Sequence, residues 1–249
     1  MTVEMVTVGA ERVLRFRDMH SGHAFQVTTP EADPELWRRY LAGAHRVYHR
    51  FGVESALEYE SVADGRSTAL FFAAVDQDGE VVAGLRAQGP YSGSAEAHGL
   101  SAWAGEPGED ALRAMIDERA REGIVEVKAV WVDRAAAHRS ALGAAVARCV
   151  VHAAWLLGAR WGFATSAGHG IDRYLSSGAR IADEVAAVAY PDQRYRTVPL
   201  WWDTHAHSAY ATRNQSALIV LERAALRAWG RTCPRPAVAE AVAGRPTAR

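Results

Sequence analysis

The chain has 249 residues, of which 49% are hydrophobic and 23% charged, and its formal net charge is −1. This is the profile of a soluble globular protein with room for one large domain or two small ones. The near-neutral balance, with Lys and Arg dispersed along the chain, excludes a general nucleic-acid binder. The two cysteines, Cys149 and Cys233, form neither a disulfide framework nor a metal-ligand spacing.

The first ten residues include Glu4 and lack a long apolar run, so no signal peptide is read. No apolar run reaches membrane-spanning length, and a cytoplasmic protein without a membrane partner is expected. Residues 12–17 and 24–28 read as short strands about a turn at Ser21-Gly22. Pro30 and Pro34 break the chain. Residues 35–51 then place Leu36, Tyr40, Leu41, Ala44, Val47 and Tyr48 at helical spacing. Residues 69–75 read as a buried strand, the Asp76–Gly79 segment as a turn, and residues 80–86 as its hairpin partner. Residues 87–107, rich in Gly, Ser and Ala, are expected to form a long loop of functional character. Residues 109–121 read as a helix with acidic residues early and basic residues late.

Residues 124–180 carry the most information. Ile124–Val132 reads as a strand, and a loop of small residues, 138–143, opens an amphipathic helix that ends at Gly158. A second strand covers residues 160–166, and Ile171, Asp172, Arg173 and Tyr174 precede Gly178. Such a loop can present unpaired backbone N–H groups to a phosphate, which makes an acyl-CoA or another phosphopantetheine thioester a candidate ligand. Residues 181–189 and 195–202 read as two further strands, and residues 204–214 are polar and His-rich. Residues 215–229 read as a terminal helix, and residues 233–249, rich in Pro, Ala and Arg, as a disordered tail. The expected division is a strand extension over 1–34, one α/β domain over 35–203, and a C-terminal helix and tail over 204–249.

The order of elements over residues 36–202 resembles the GNAT superfamily of acyltransferases. The family's cofactor loop reads Arg/Gln-x-x-Gly-x-Gly/Ala. Here His138, Ala141 and Gly143 stand at the three patterned positions, so His replaces the leading Arg/Gln and Ala the middle Gly. Gly158 falls at the family's spacing, and Tyr174 with Gly178 echoes its later segment. Arg46, Arg50 and Phe51, then Gly84 and Arg86, then Glu126, with Asp64 near the place of an acidic cluster, are similar to the acyl-homoserine-lactone synthase and N-acyl amino acid synthase branch. The resemblance implies an α/β fold. Its mixed, mostly antiparallel sheet is flanked by helices, with a splayed strand pair around Val132 and Ala164. It also implies N-acyl transfer from acyl-CoA or acyl carrier protein to a small amine. Val130, Val132, His138, Arg139, Ala141, Leu142 and Gly143 would hold the thioester, and no metal is implied. A binding module that kept the fold without the chemistry is the alternative.

Acyl transfer to an amine needs a proton acceptor, a polarised carbonyl and a proton for the departing thiolate. Glu126 is the candidate base. On a regular strand it shares a face with Lys128, Val130 and Val132, and the alternative is an ion pair with Lys128 or Arg86. Tyr174 is the candidate acid, or a tyrosine packed on the sheet. His169, after the second strand, is a second base candidate or an exposed loop residue. Arg139 is the stronger phosphate partner beside His138, unless both are solvated helix-end residues. The predicted contacts are the N–H groups of Leu142 and Gly143. The pairs His20/His23 and His205/His207 lack the further ligands that a metal site requires. Trp131, Trp201 and Trp202 read as core or pocket lining, and residues 88–103 and 190–196 as the acceptor side.

Overall fold

The computed structural model describes residues 13–230, with the backbone alone at residue 169 and residues 228–230. The expected disordered tail and Cys233 lie outside the described residues. Strands β1 (Leu14–Arg17) and β2 (Ala24–Thr28) lead into helix α1 (Pro34–Phe51), a 3-10 turn at Glu54–Leu57, and the short helix α2 (Tyr59–Val62). The hairpin β3 (Leu70–Val75) and β4 (Val81–Tyr91) follows. Two 3-10 turns, Ser94–Glu96 and His98–Trp103, connect it to helix α3 (Glu109–Ala120). Next come β5 (Ile124–Val132), α4 (Arg139–Leu156), β6 (Trp161–Ala167), α5 (Gly168–Ser176), β7 (Arg180–Ile181) and β8 (Thr197–Asp203). The helices α6 (His207–Tyr210) and α7 (Arg213–Gly230) close the described chain.

Local sequence explains the helix ends. The Asp33 carboxylate accepts from the Leu36 N–H at 2.9 Å, Pro34 occupies the first turn, and Gly52 closes α1 in the left-handed region at φ 63°. α4 begins differently: His138 precedes it at φ 50° and supplies no side-chain cap.

The eight strands of the described residues form one sheet in the order β1-β2-β3-β4-β5-β6-β8-β7. Every pair is antiparallel except β5 and β6. On one face α4 and α7 cover an apolar core that includes Val125, Val127, Leu142, Val146, Val150 and Ile219. On the other face α1 covers Phe71, Ala129 and Trp131, while α3 and the His98–Trp103 turn cover Ile124 and Phe163.

Two irregularities shape the middle of the sheet. Arg86 pairs with Lys128 and Gly84 with Trp131, so β5 carries one residue more than β4 across this stretch. The extra residue is a bulge at Ala129, at φ 49°. It reverses the side-chain alternation: Glu126 and Lys128 face α1 and α3, whereas Val130 and Val132 pack toward α4. The expected common face for Glu126, Val130 and Val132 is therefore corrected. The second irregularity is the splay. β5 and β6 pair only from Ile124/Trp161 to Glu126/Phe163, after which β5 stays with β4 and β6 with β8. The expected splayed pair is present.

Three further expectations change. The loop expected over 87–107 is partly strand, because Gln88 and Tyr91 pair with Glu126 and Ile124, and partly the two 3-10 turns. Cross-strand partners extend the ladder past the Gly89-Pro90 signal that ends it locally. The strand expected over 181–189 shrinks to Arg180–Ile181, with a lone bridge from Val188 to Thr197. The loop expected over 138–143 is mostly the first turn of α4.

Candidate active site

A cleft of about 530 Å³ opens where β5 and β6 part. β5 contributes residues 127–132 and β6 contributes Thr165, Ser166 and Ala167. α4 adds Gly143, Val146 and Ala147, and α5 adds Gly170, Arg173 and Tyr174. The far side comes from the end of α1 (Val47, Tyr48, Arg50, Phe51), from His98, Gly99, Ser101 and Ala102, and from Tyr190, Pro191 and Tyr195. The two segments expected on the acceptor side thus both reach the cleft. Its described lining holds the cations Arg50, Lys128, Arg134, Arg139 and Arg173 and no carboxylate.

One end of the cleft meets the start of α4. Among the described residues the first helical N–H with an acceptor is that of Leu142, which donates to the His138 carbonyl at 2.9 Å. Those of Arg139, Ser140 and Ala141 have none, and no acidic side chain stands in this turn. Unpaired N–H groups at the positive end of an 18-residue helix, beside arginines, suit an anion. This corrects the predicted contacts. The Leu142 N–H is spent inside the helix and its side chain is fully buried in the core, so the available donors lie at 139–141. Arg139 and Gly143 line the cleft, as do Val130 and Val132. His138 and Ala141 are absent from the described lining. Gly143 matters by its size: a Cβ there would stand 3.2 Å from Nε and Nη1 of Arg173. The missing side chain lets that guanidinium lie on the first turns of α4.

In the middle stands Tyr174. Its ring meets Trp202 edge-on at 5.5 Å, and burial pushes its hydroxyl up to about 12. Burial also raises Tyr48 across the cleft, with the Tyr174 and Tyr190 hydroxyls adding to the rise. Both tyrosines line the cleft, and among the described residues neither hydroxyl has a hydrogen-bond partner.

Glu126 lies behind the wall. It is 1% exposed, and its Oε2 accepts from the Tyr91 hydroxyl at 3.0 Å and from the His98 N–H at 2.9 Å. Burial raises its carboxyl, with Lys128 and Tyr91 pulling the other way. Gly99 passes so close that an added Cβ would be 3.0 Å from Oε1 and 2.9 Å from Phe163. The alternative ion pairs do not form. Lys128 reaches Glu58 at 2.8 Å, and the Arg86 guanidinium contacts Thr68 at 3.5 Å. Glu58 itself is non-glycine at φ 54°. Burial would raise its carboxyl, but Lys128, and then His98 and Arg86, hold it below the usual range.

The backbone of His169 is in the first turn of α5, not in a loop, and its side chain lies outside the described residues. Cys149 is fully buried and burial pushes its thiol up, so it is a core residue. His207 is buried and bonded to the Thr204 carbonyl through Nδ1. Asp64 is turned to its own loop, beside Arg66. Among the described residues no three His, Cys, Asp or Glu side chains group as a metal site would require. Sequence reading missed His98, Glu58, Tyr48, Arg134 and Arg173. His98 sits in a segment read as a functional loop on the acceptor side with no residue singled out, and Tyr48 is marked only by its helical spacing in residues 35–51.

No family model matches the chain. It is 44% identical over 202 residues to the uncharacterized protein Rv1356c of Mycobacterium tuberculosis and equally to Mb1391c of Mycobacterium bovis. Each alignment covers 81% of this chain and 77% of the relative. The chain belongs to the family of these mycobacterial proteins. Among solved structures, FeeM, an N-acyl amino acid synthase from uncultured soil microbes, superposes with a TM-score of 0.52 at 12% identity. The match covers 78% of this chain and 96% of FeeM. The CoA-dependent acyl-homoserine lactone synthase BjaI superposes at 0.48 with 15% identity, over 79% of this chain and 88% of that one. With the FeeM superposition, the sheet of this chain, mostly antiparallel and opened between β5 and β6, is a GNAT fold.

Proposed function

We propose that the protein moves an acyl group from the thioester of CoA or of an acyl carrier protein to the amine of a small molecule. The observation that carries this is the cationic cleft at the splay, bounded at one end by the uncapped first turn of α4. Arg139 and Arg173, with the N–H groups of residues 139–141, would hold the donor's phosphate. The edge of β5 beyond Glu126, released from β6, offers free backbone groups to an extended amide-containing arm. The name of FeeM, an N-acyl amino acid synthase, supports the same reaction class. The amine attacks the thioester carbonyl directly, without a covalent enzyme intermediate. Tyr174, a phenol in a buried cleft wall, gives a proton to the departing thiolate.

Thiol release from a panel of acyl-CoA and acyl carrier protein thioesters with mixed amines tests the reaction, and calorimetry with CoA tests the donor site. Arg139→Glu is expected to weaken donor binding more than tenfold, since a charge-assisted contact contributes about 1.5–3 kcal/mol. Binding without turnover would identify a binding module. Unchanged affinity in Arg139→Glu would remove the start of α4 from the site.

A further inference from the structure

We infer that the side chain of His98 takes the proton from the attacking amine, held by Glu58, and that Glu126 is a positioning residue behind it. This rests on the acyl-transfer reading above. A proton acceptor must reach the amine, directly or through one water. Among the described lining residues there is no Asp or Glu, and His98 is the one histidine. Imidazole is the side chain most often used as a general base. Glu126, 1% exposed and already accepting two hydrogen bonds through Oε2, has no such access.

The surroundings of His98 form a built arrangement. Its Nδ1 stands 3.7 Å from Oε2 of Glu58, too far for a hydrogen bond but within ion-pair reach once the ring takes a proton, and the side chain, 47% exposed, lines the cleft. An Nδ1–H turned to Glu58 leaves the lone pair on Nε2 for substrate. Glu58 is fixed in turn by the Lys128 ammonium at 2.8 Å and by its left-handed backbone. Glu126 fixes the other side: it holds the His98 N–H at 2.9 Å, and Gly99 allows that close approach. The charged and titratable groups facing His98 are therefore Glu58 from the α1–α2 connection, Lys128 and Glu126 from β5, and Tyr190 across the cleft. In the step itself the amine nitrogen bonds to the carbonyl carbon and its proton passes to Nε2. The C–S bond breaks with its electron pair on sulfur, and the thiolate takes the Tyr174 proton. The imidazolium then returns its proton to water, and water restores the phenol.

The test is the pH dependence of kcat/KM for the parent, His98→Ala, Glu58→Gln, Glu126→Gln and His169→Gln, with donor affinity measured in each. The parent should lose activity on the acidic side. His98→Ala should be slower by about 10²–10⁴-fold, the usual worth of a positioned base, with donor affinity retained. It should lack the acidic limb and regain rate when imidazole is added to the buffer. Glu58→Gln should shift that limb, and Glu126→Gln should slow turnover yet keep it. An acidic limb that survives in His98→Ala overturns the assignment. So does a limb abolished by Glu126→Gln or by His169→Gln, which would pass the role to that residue. A parent without thiol release on any thioester overturns the acyl-transfer reading and this assignment together. A parent that turns over while His98→Ala is unaffected overturns this assignment alone.

Discussion

Replacing Arg148 by Met should destabilise the fold by several kcal/mol, because Arg148 is the one cation in a buried cluster that ties α4 to α7 and to the β1–β2 turn. It is 1% exposed. Its Nε and Nη2 hold the Glu222 carboxylate at 2.6–3.1 Å, Nη1 donates to Gln215 at 2.6 Å, and Nη2 reaches Asp18 at 2.5 Å. His152 completes the group through Nε2, 2.8 Å from Glu222. Methionine fills much of the volume but leaves two buried carboxylates without their cation. Breaking a buried pair from one side costs about 3–5 kcal/mol. For a domain of this size 1 kcal/mol moves Tm by about 2–4 °C, so a fall of roughly 6–20 °C at pH 7 is expected. The pH dependence supplies a second check. Burial raises Asp18 and Glu222, but their hydrogen bonds and Arg148 outweigh it and hold both below the usual carboxylate range. A folded value below the unfolded one gives stability that is full above the unfolded value and lost as pH falls through the folded one. His152, pushed below its ordinary 6.5 by burial, adds a loss that begins below that pH. In Arg148→Met the Ser21 bonds to Asp18 and the His152 bond to Glu222 remain but the pull of the guanidinium is gone, so both carboxyls bind protons more readily than in the parent, and the gap to the parent should narrow as pH falls from 7 to about 4. Thermal unfolding followed by circular dichroism across that range measures both effects. A variant within about 1 kcal/mol of the parent at pH 7, or a gap that widens in acid, would refute the reasoning.

Two further changes probe the cleft. Tyr174→Phe keeps the ring against Trp202, so its Tm should match the parent's, while kcat drops; the deficit should shrink with thioesters of acidic thiols, and an equal deficit for all leaving groups would exclude the acid role. Gly143→Ala should split stability from binding. Alanine in a helix interior stabilises by up to about 1 kcal/mol over glycine, whereas the added Cβ, 3.2 Å from the Arg173 guanidinium, displaces that side chain and should weaken CoA binding several-fold. Unchanged CoA affinity by calorimetry would take Arg173 out of the donor site.

The features legible in the amino-acid order are local. The strand at Ile124–Val132, the helix that terminates before Gly158, and a helix over 35–51 follow from period and glycines, which act over a few residues, whereas the start of α4 at Arg139 does not, because residues 138–143 read as a loop. Their order sufficed to indicate the GNAT fold and a splayed strand pair. The sequence also pointed to Arg139, Gly143 and Tyr174, all of which line the cleft. The tertiary structure alone decided which side of β5 each residue faces. The bulge at Ala129 reverses alternation, and it arises from pairing with β4, whose Arg86 and Gly84 lie 42 and 47 residues from their partners Lys128 and Trp131. The same holds for Glu126. Its acidic side chain reads as a base on any strand, but the close pass of Gly99 and the Tyr91 hydroxyl seal it behind the wall. His98 gains its place only because that turn folds back over β5 and meets Glu58 and Lys128, which stand 40 and 30 residues away in sequence. Periodicity reports which residues share one element's face; it carries no record of which distant elements close around them.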